Sequence, residues 1–285
     1  MKIAAFNIQK FGRNKVSDPD VLKILIKIVS RYDIVVILEV VDISGDSVIT
    51  FLDALNTANS KHHYTLKISS RLGSYQFDDL VTEGGDVFAR DPYILRFRCL
   101  NTVLKDLVMI PVHTKPDDSE KELDELYDVF LNVKKKWKTD NVMILGDFNA
   151  DGLYVTKTEM KGIRIRSDKN FHWIVVYGDD MLQAVVPNSA KPFNFQKAYK
   201  LTVEQALKVS DHYPVEVRLK SINNTSEEEE DEEDGVFPLF PSTPPQDEGL
   251  LELQRGNLML EREKLSLEIQ ILRMKVAKMN RGNEI

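Results

Sequence analysis

Seven polar side chains of the kinds that bind metal ions or transfer protons lie where β-strands are predicted to end. Carboxylate and amide oxygens are the ligands that a hard cation such as Mg²⁺ prefers, and two histidines could supply the base and the acid of phosphodiester hydrolysis. Taken singly, each such residue is more often a turn former, a helix cap or a structural histidine. Their combination predicts a hydrolytic metal site built from Asn7, Glu39, His113, Asp147, Asn149, Asp211 and His212.

The elements that must bring these residues together are strands and helices in no strict alternation. Apolar and β-branched runs predict strands at Ile3–Ile8, Ile34–Leu38, Tyr64–Ile68, Tyr93–Phe97, Leu107–Val112, Val142–Leu145 and Tyr213–Leu219. Helices are predicted over 17–31, 44–55 and 120–137, the first of them opened by Ser17-Asp18-Pro19. This order predicts an α/β fold of stacked sheets with helices outside, in which sites assemble at strand ends.

Composition limits what the chain can be. Its 285 residues are 42% hydrophobic, which is enough for a sizeable core and excludes a wholly disordered chain. The single cysteine, Cys99, excludes an intrachain disulfide. No apolar run approaches the roughly 18 residues of a membrane span, so we expect no membrane contact. The start, Met1-Lys2-Ile3, has no apolar secretory signal. As written this would mean a cytoplasmic or nuclear location, but the sequence leaves the location open.

Charge divides the chain into a balanced body and an acidic tail. Residues 221–285 hold 7 basic and 15 acidic residues and have a net charge of −8. The whole chain has a net charge of −7, so residues 1–220 carry +1. The stretch 221–248 is acidic and proline-rich, which predicts a disordered linker. Over 249–280, leucines recur every seven residues, at Leu251, Leu258, Leu265 and Leu272. This spacing predicts an amphipathic or coiled-coil helix that could form a homo-oligomer, bind a protein partner or dock on its own body.

Segments spread in order over 1–220 resemble deoxyribonuclease I and its close relatives. The tail beyond Lys220 does not share the resemblance. Among the matching segments are Lys2-Ile3-Ala4-Ala5-Phe6-Asn7, Leu38-Glu39-Val40, Ile110-Pro111-Val112-His113, Gly146-Asp147-Phe148-Asn149-Ala150 and Ser210-Asp211-His212-Tyr213-Pro214.

The resemblance implies a fold, a reaction and a set of roles. The fold would be an endonuclease/exonuclease/phosphatase-type sandwich of two packed β-sheets flanked by helices, with the C-terminal helix added to it. The reaction would be endonucleolytic cleavage of DNA, with Mg²⁺ as the catalytic ion and Ca²⁺ in support. By motif, the metal ligands would be Asn7, Glu39, Asp147 and Asp211; Asn149 would bind the scissile phosphate, and His113 and His212 would be the acid and base.

Two internal deletions set this chain apart from the family it resembles. After Gly73 about twenty residues and a core strand are absent, including a Glu that orients one catalytic histidine in relatives. After Trp173 a loop is absent with the Asp that is the partner of the other histidine. Without its carboxylate, a histidine is not held in one tautomer and its pKa is lowered. We therefore expect impaired hydrolysis. Tyr75 and Asp78 could stand in for the residues lost at the first gap.

Two other interpretations of the sequence remain open. The chain could be a catalytically inactive nuclease-fold protein that acts through its coiled-coil tail. It could also be an aberrant splice product that folds poorly, since two clean excisions are what exon skipping leaves. The relatives are secreted, whereas the sequence as written starts without a signal.

Overall fold

The computed structural model describes residues 1–59, 62–66, 74–77, 87–99, 101–149, 163–166 (backbone only) and 172–222. All of them lie in the first of two compact units of the chain, Met1–Gly235. The predicted linker beyond residue 222 and the predicted C-terminal helix lie outside the described residues, as do Asp78 and Gly73. The predicted boundaries at 220 and 248 therefore stay predictions.

One β-sheet has four strands. Across the sheet they are β2 (Ile34–Val40), β1 (Lys2–Phe11), β10 (Val215–Arg218) and β9 (Lys191–Pro192). Strand β1 runs parallel to β2 and antiparallel to β10. This sheet joins the first and last predicted strands of the body, so Asn7 and the loop before β10 come to the same end of the fold.

The other sheet has six strands. Across the sheet they are β3 (Ser74–Gln76), β4 (Tyr93–Arg98), β5 (Asp106–His113), β6 (Val142–Asp147), β8 (His172–Tyr177) and β7 (Ile163–Arg166). Strands β5 and β6 are parallel, and β8 is antiparallel to β6. The C-terminal ends of β5 and β6 and the start of β8 therefore lie side by side.

Seven α-helices occur among the described residues. They are α1 (Arg13–Ser17), α2 (Pro19–Val29), α3 (Asp46–Ala58), α4 (Ser119–Trp137), α5 (Asp179–Ala184), α6 (Phe195–Ala198) and α7 (Val203–Val209). Helix α2 begins as predicted, because Asp18 accepts hydrogen bonds from the first-turn amides of Asp20 and Val21 while Pro19 follows at the first position. None of the helices in this part of the chain is long and apolar enough to cross a membrane.

Side-chain alternation along the strands sorts the core into three layers. Ile3 and Ala5 of β1 pack between the sheets with residues of β5, β6, β8 and β10. The alternate residues Ala4 and Phe6 face away from that layer and pack on α2 and α3. On the far side, β5 and β6 pack against α4 through residues such as Ile144. Two packed sheets flanked by helices are the predicted fold, which is confirmed.

One local prediction needs correction. The predicted strand Tyr64–Ile68 is wrong over its described part, because Tyr64 pairs with the Asn56 side chain instead of another strand: the Tyr64 amide donates to Oδ1 at 2.7 Å and its carbonyl accepts from Nδ2 at 3.0 Å. Directly after the first deletion, β3 pairs with β4 and forms an edge of the six-stranded sheet.

Candidate active site

Three polar side chains form a row across the six-stranded sheet at one end of the inter-sheet core. In register, His113 of β5 lies beside Asp147 of β6, and Asp147 lies beside His172 of β8. Asp147 is two residues from Leu145 and His172 is two residues from Ile174, and both apolar residues pack between the sheets. Because side chains alternate along a strand, Asp147 and His172 face the opposite sheet.

The four-stranded sheet meets this row through Asn7. Asn7 follows Ala5 on the inter-sheet face of β1 and is 1% exposed. Its Nδ2 donates to Glu39 Oε1 at 2.8 Å and to Asp147 Oδ2 at 3.2 Å. One amide thus holds two carboxylates from different sheets at the rim of the core.

Asp147 is the centre of the cluster and is buried. Its Oδ1 accepts from the Asn149 amide at 3.2 Å, while its Oδ2 lies 3.2 Å from His172 Nε2 and 3.8 Å from His212 Nδ1. Burial alone would raise the pKa of Asp147, but His172, the Asn7 amide and His212 together hold that pKa well below its usual range. The carboxylate is therefore charged at neutral pH.

His212 is held against His172 by the loop before β10. The two rings stack with centroids 4.6 Å apart and planes 15° from parallel. Ser210 fixes the loop, since its hydroxyl donates to the Asn7 carbonyl at 2.7 Å and accepts from the His212 amide at 3.0 Å. On the other side of the ring, His212 Nε2 lies 3.5 Å from Asp211 Oδ1.

Both predicted catalytic histidines have lowered pKa values. Burial lowers the pKa of His113 against the charges of Asp147 and Glu39. Burial and the neighbouring His172 lower the pKa of His212. Among the described residues no hydrogen bond reaches the His113 imidazole, although Arg90 donates to its backbone carbonyl at 3.1 Å. Neither histidine has a hydrogen-bonded carboxylate in the part of the chain that the structure describes.

Glu39 and Asn149 occupy strained backbone positions next to the cluster. Their φ angles are +59° and +44°, a region that residues other than glycine rarely adopt and that is common at functional sites. Burial would raise the pKa of Glu39, but hydrogen bonds from Asn7 and the Lys10 amide lower it. Asn149 Nδ2 donates to the Thr114 carbonyl at 2.7 Å. Both side chains are thus fixed beside Asp147.

The structure therefore gathers the seven predicted site residues at one rim, while their individual roles stay predictions. His172 was not predicted from the sequence as a site residue. Only the deletion after the next residue, Trp173, was noted. Alternation was the available signal: His172, Ile174 and Val176 share one face of a strand. The suggested substitute Tyr75 does not point to this site, because its hydroxyl donates to Asn132 of α4 at 2.7 Å.

A metal ion is one ligand that this cluster could hold. Asp147, His172 and His212 each offer a donor atom, and these atoms lie within 4.8 Å of one another. Glu39 and Asp211 add carboxylates nearby, both close to His212. Carboxylates, amides and imidazoles gathered at the rim of two stacked sheets are a donor set suited to metal-assisted hydrolysis.

Comparison with known proteins identifies the family. The model of the endonuclease/exonuclease/phosphatase family matches residues 4–212. The chain is 37% identical over 264 residues to human deoxyribonuclease gamma, covering 78% of this chain and 86% of that protein. It is 39% identical over 260 residues to deoxyribonuclease-1 of Oryctolagus cuniculus, covering 77% and 92%. The chain therefore belongs to the endonuclease/exonuclease/phosphatase family, and within it to the deoxyribonuclease I family.

A solved structure supports the same fold. The match to the crystal structure of D. rerio TDP2 humanized by 14 mutations covers 76% of this chain and 97% of the TDP2 chain. Its TM-score is 0.52 and the sequence identity is 15%. At that identity the likeness concerns the fold alone.

Proposed function

We propose that this chain is a metal-dependent endonuclease that hydrolyses phosphodiester bonds of DNA. The observation that carries the proposal is Asn7, which joins Glu39 and Asp147 across the two sheets within reach of His212. The relatives are named deoxyribonucleases, which supports DNA as the substrate. A balanced body charge of +1 over 1–220 is compatible with that substrate.

Mg²⁺ is the catalytic ion we propose, with Ca²⁺ in support. The ligands would be Glu39 and Asp211 with Asp147 and Asn7, a set of carboxylate and amide oxygens that suits a hard cation. Asn7 presents its Nδ2 to Glu39 and Asp147, so its Oδ1 would face an ion held by these carboxylates only after the amide rotates. When bound, Mg²⁺ would stabilise charge on the phosphate and lower the pKa of the attacking water.

The protein's own groups would bind the phosphate and move protons. Asn149 would position the phosphate, while one of His113 and His212 takes the water proton and the other protonates the leaving oxygen. Because both histidines have lowered pKa values, the neutral base form is abundant near pH 7 and the acid form is scarce. We therefore expect slower cleavage than a histidine–carboxylate pair would give.

Plasmid nicking tests the proposal. The full chain should convert supercoiled to open-circular DNA with Mg²⁺ and Ca²⁺, and EDTA should stop it. The double variant His113→Ala, His212→Ala should be slower by about a hundredfold or more. Changing the exposed His62 and His63 to alanine is the matched control and should leave the rate unchanged. If the catalytic double variant nicks as fast as the wild type, the proposal is wrong.

Self-association through 249–280 is a separate proposal, and its support is the leucine heptad alone. Sedimentation velocity on 1–285 and on 1–220 tests it. We expect the longer chain to sediment as a larger species, and the substitution Leu265→Lys to dissociate that species into monomers. If both 1–285 and 1–220 sediment as monomers, this helix has no role in oligomerisation.

A further inference from the structure

We propose that Asp147, His172 and His212 form a binding site for Zn²⁺ or a similar transition-metal ion. This site differs in donor chemistry from the oxygen-rich Mg²⁺ site around Glu39. The proposal concerns metal binding and does not rest on the nuclease function.

The separations from Asp147 to the two histidines are near those around a zinc ion. A tetrahedral zinc with bonds of about 2.0–2.1 Å holds its ligand atoms about 3.3–3.4 Å apart. Asp147 Oδ2 lies 3.2 Å from His172 Nε2 and 3.8 Å from His212 Nδ1. The donor atoms of all three residues lie within 4.8 Å of one another. The rings of His172 and His212 lie only 15° from parallel, so binding one ion through both rings requires the His212 ring to turn as well as to move.

The donor types favour a transition metal over Mg²⁺. Two imidazole nitrogens and one carboxylate oxygen suit zinc, copper, nickel or iron, whereas Mg²⁺ selects oxygen ligands. Three protein ligands also leave a fourth position for water, as in catalytic zinc sites. The second imidazole comes from His172, so the nitrogen-rich character of the site depends on that residue.

Buried nitrogens without hydrogen bonds are the independent observation that points to a ligand at this cluster. His172 is fully buried, yet among the described residues neither of its ring nitrogens has a hydrogen-bond partner, and the same holds for His212 Nδ1. His172 Nε2 lies near Asp147 without hydrogen-bond geometry. Unsatisfied buried polar atoms cost free energy and are rare. A metal ion between Asp147 and the two rings would satisfy His172 Nε2 and His212 Nδ1 together.

Neighbouring groups hold Asp147 in place, and a carboxylate lies near His212. Histidines that bind metals usually donate their other N–H to a carboxylate, and Asp211 Oδ1 lies 3.5 Å from His212 Nε2. Asp147 is positioned by hydrogen bonds from the Asn149 amide and the Asn7 side chain. Asp147 therefore has the outer hydrogen-bond partners that metal ligands usually have.

One consequence does rest on the proposed function. Zinc bound to Asp147 and His212 would occupy two groups that the hydrolysis needs, so micromolar zinc should inhibit Mg²⁺-dependent nicking. Failure of this inhibition with zinc demonstrably bound would count against the nuclease mechanism and not against the site.

Zinc binding by the full chain is the direct test. After chelator treatment, equilibrium dialysis should give one zinc per chain in the presence of millimolar Mg²⁺. His172→Gln and His212→Gln should each weaken binding by at least the 10–100-fold that loss of an outer partner costs. The double variant His62→Ala, His63→Ala, which removes exposed histidines, should bind as the wild type does.

A spectroscopic measurement on the wild type separates loss of a ligand from loss of the fold. X-ray absorption of the zinc-loaded chain should show two imidazole nitrogens and a carboxylate oxygen at about 2.0–2.2 Å. No bound zinc, a shell with fewer than two imidazoles, or unchanged affinity in folded His172→Gln would overturn the proposal.

Discussion

Asn7 is the residue on which the geometry of the rim depends. Its side-chain nitrogen is shared by Glu39 and Asp147, and its backbone carbonyl accepts from Ser210. Two carboxylates close together repel each other unless a donor or a cation lies between them. Asn7 supplies that donor from the interior, where it is shielded from water.

Asn7→Asp should therefore destabilise the protein in the absence of metal ions. The change removes a buried donor and adds a third carboxylate, which should cost about 1–3 kcal/mol of unfolding free energy. Urea denaturation in EDTA measures this, and millimolar Mg²⁺ should recover part of the loss. Asn101→Asp, at an exposed position, is the control and should change stability by less than about 0.5 kcal/mol. Equal effects of the two changes would contradict the bridging role.

The sequence predicts a site residue wherever it shows the end of a strand. Apolar runs placed Asp147 and His113 at strand ends, and the register confirms that they are neighbours. His172 was not predicted because its partner Asp147 lies on a strand distant in sequence. Contact between them depends on the antiparallel pairing of β8 with β6, which no local pattern specifies.

At the scale of elements, the approach of β5 to β6 depends on Gly146. Its φ is +145°, and a β-carbon there would lie 2.0 Å from the Val112 carbonyl oxygen. The two strands could not keep this spacing with any side chain at the position. Asp147 is the next residue, so the glycine sets where the central carboxylate lies.

Gly146→Ala should abolish or severely reduce stability, whereas Gly45→Ala should not. Gly45 also has a positive φ, +77°, but a β-carbon there would meet nothing within 4 Å. The control should thus lose only the cost of a left-handed alanine, about 1–2 kcal/mol. Thermal melts of both variants separate steric clash from backbone strain. Similar melting temperatures would mean that the strands can separate freely.

A buried ionic cluster fastens the four-stranded sheet to the segment after α2. Glu216 of β10 is 1% exposed, accepts from the Tyr32 hydroxyl at 2.9 Å and pairs with Lys2 Nζ at 2.9 Å. Tyr32→Phe should lower the unfolding free energy by about 1–3 kcal/mol, because a buried acceptor loses its donor. Thr57→Ala, which removes an exposed hydroxyl, is the comparison. Urea denaturation curves that coincide for these two variants would exclude a contribution from Tyr32.

On the scale of the whole molecule, the sequence predicts two packed sheets but does not predict which strands face each other across them. Alternating apolar residues such as Ile3 and Ala5 mark faces that must be buried, but they do not say which sheet covers them. Packing of β1 against β6 and β8 decides that, and the same packing brings carboxylates and imidazoles into one buried cluster. The protonation of this cluster therefore affects the stability of the entire fold.

Stability should fall as the solution is acidified, in two steps. The lowered pKa values of His113 and His212 mean that the unfolded chain binds more protons just below about pH 6.5, so unfolding becomes easier there. Glu39 and Asp147 also have lowered pKa values, and their stabilising effect is lost as the pH falls below about 4. Urea denaturation at pH 7.5 and 5.5 isolates the first step. His113→Gln with His212→Gln should flatten it, while the exposed His63→Gln should not; an unchanged slope in the double variant would assign the titration to other groups.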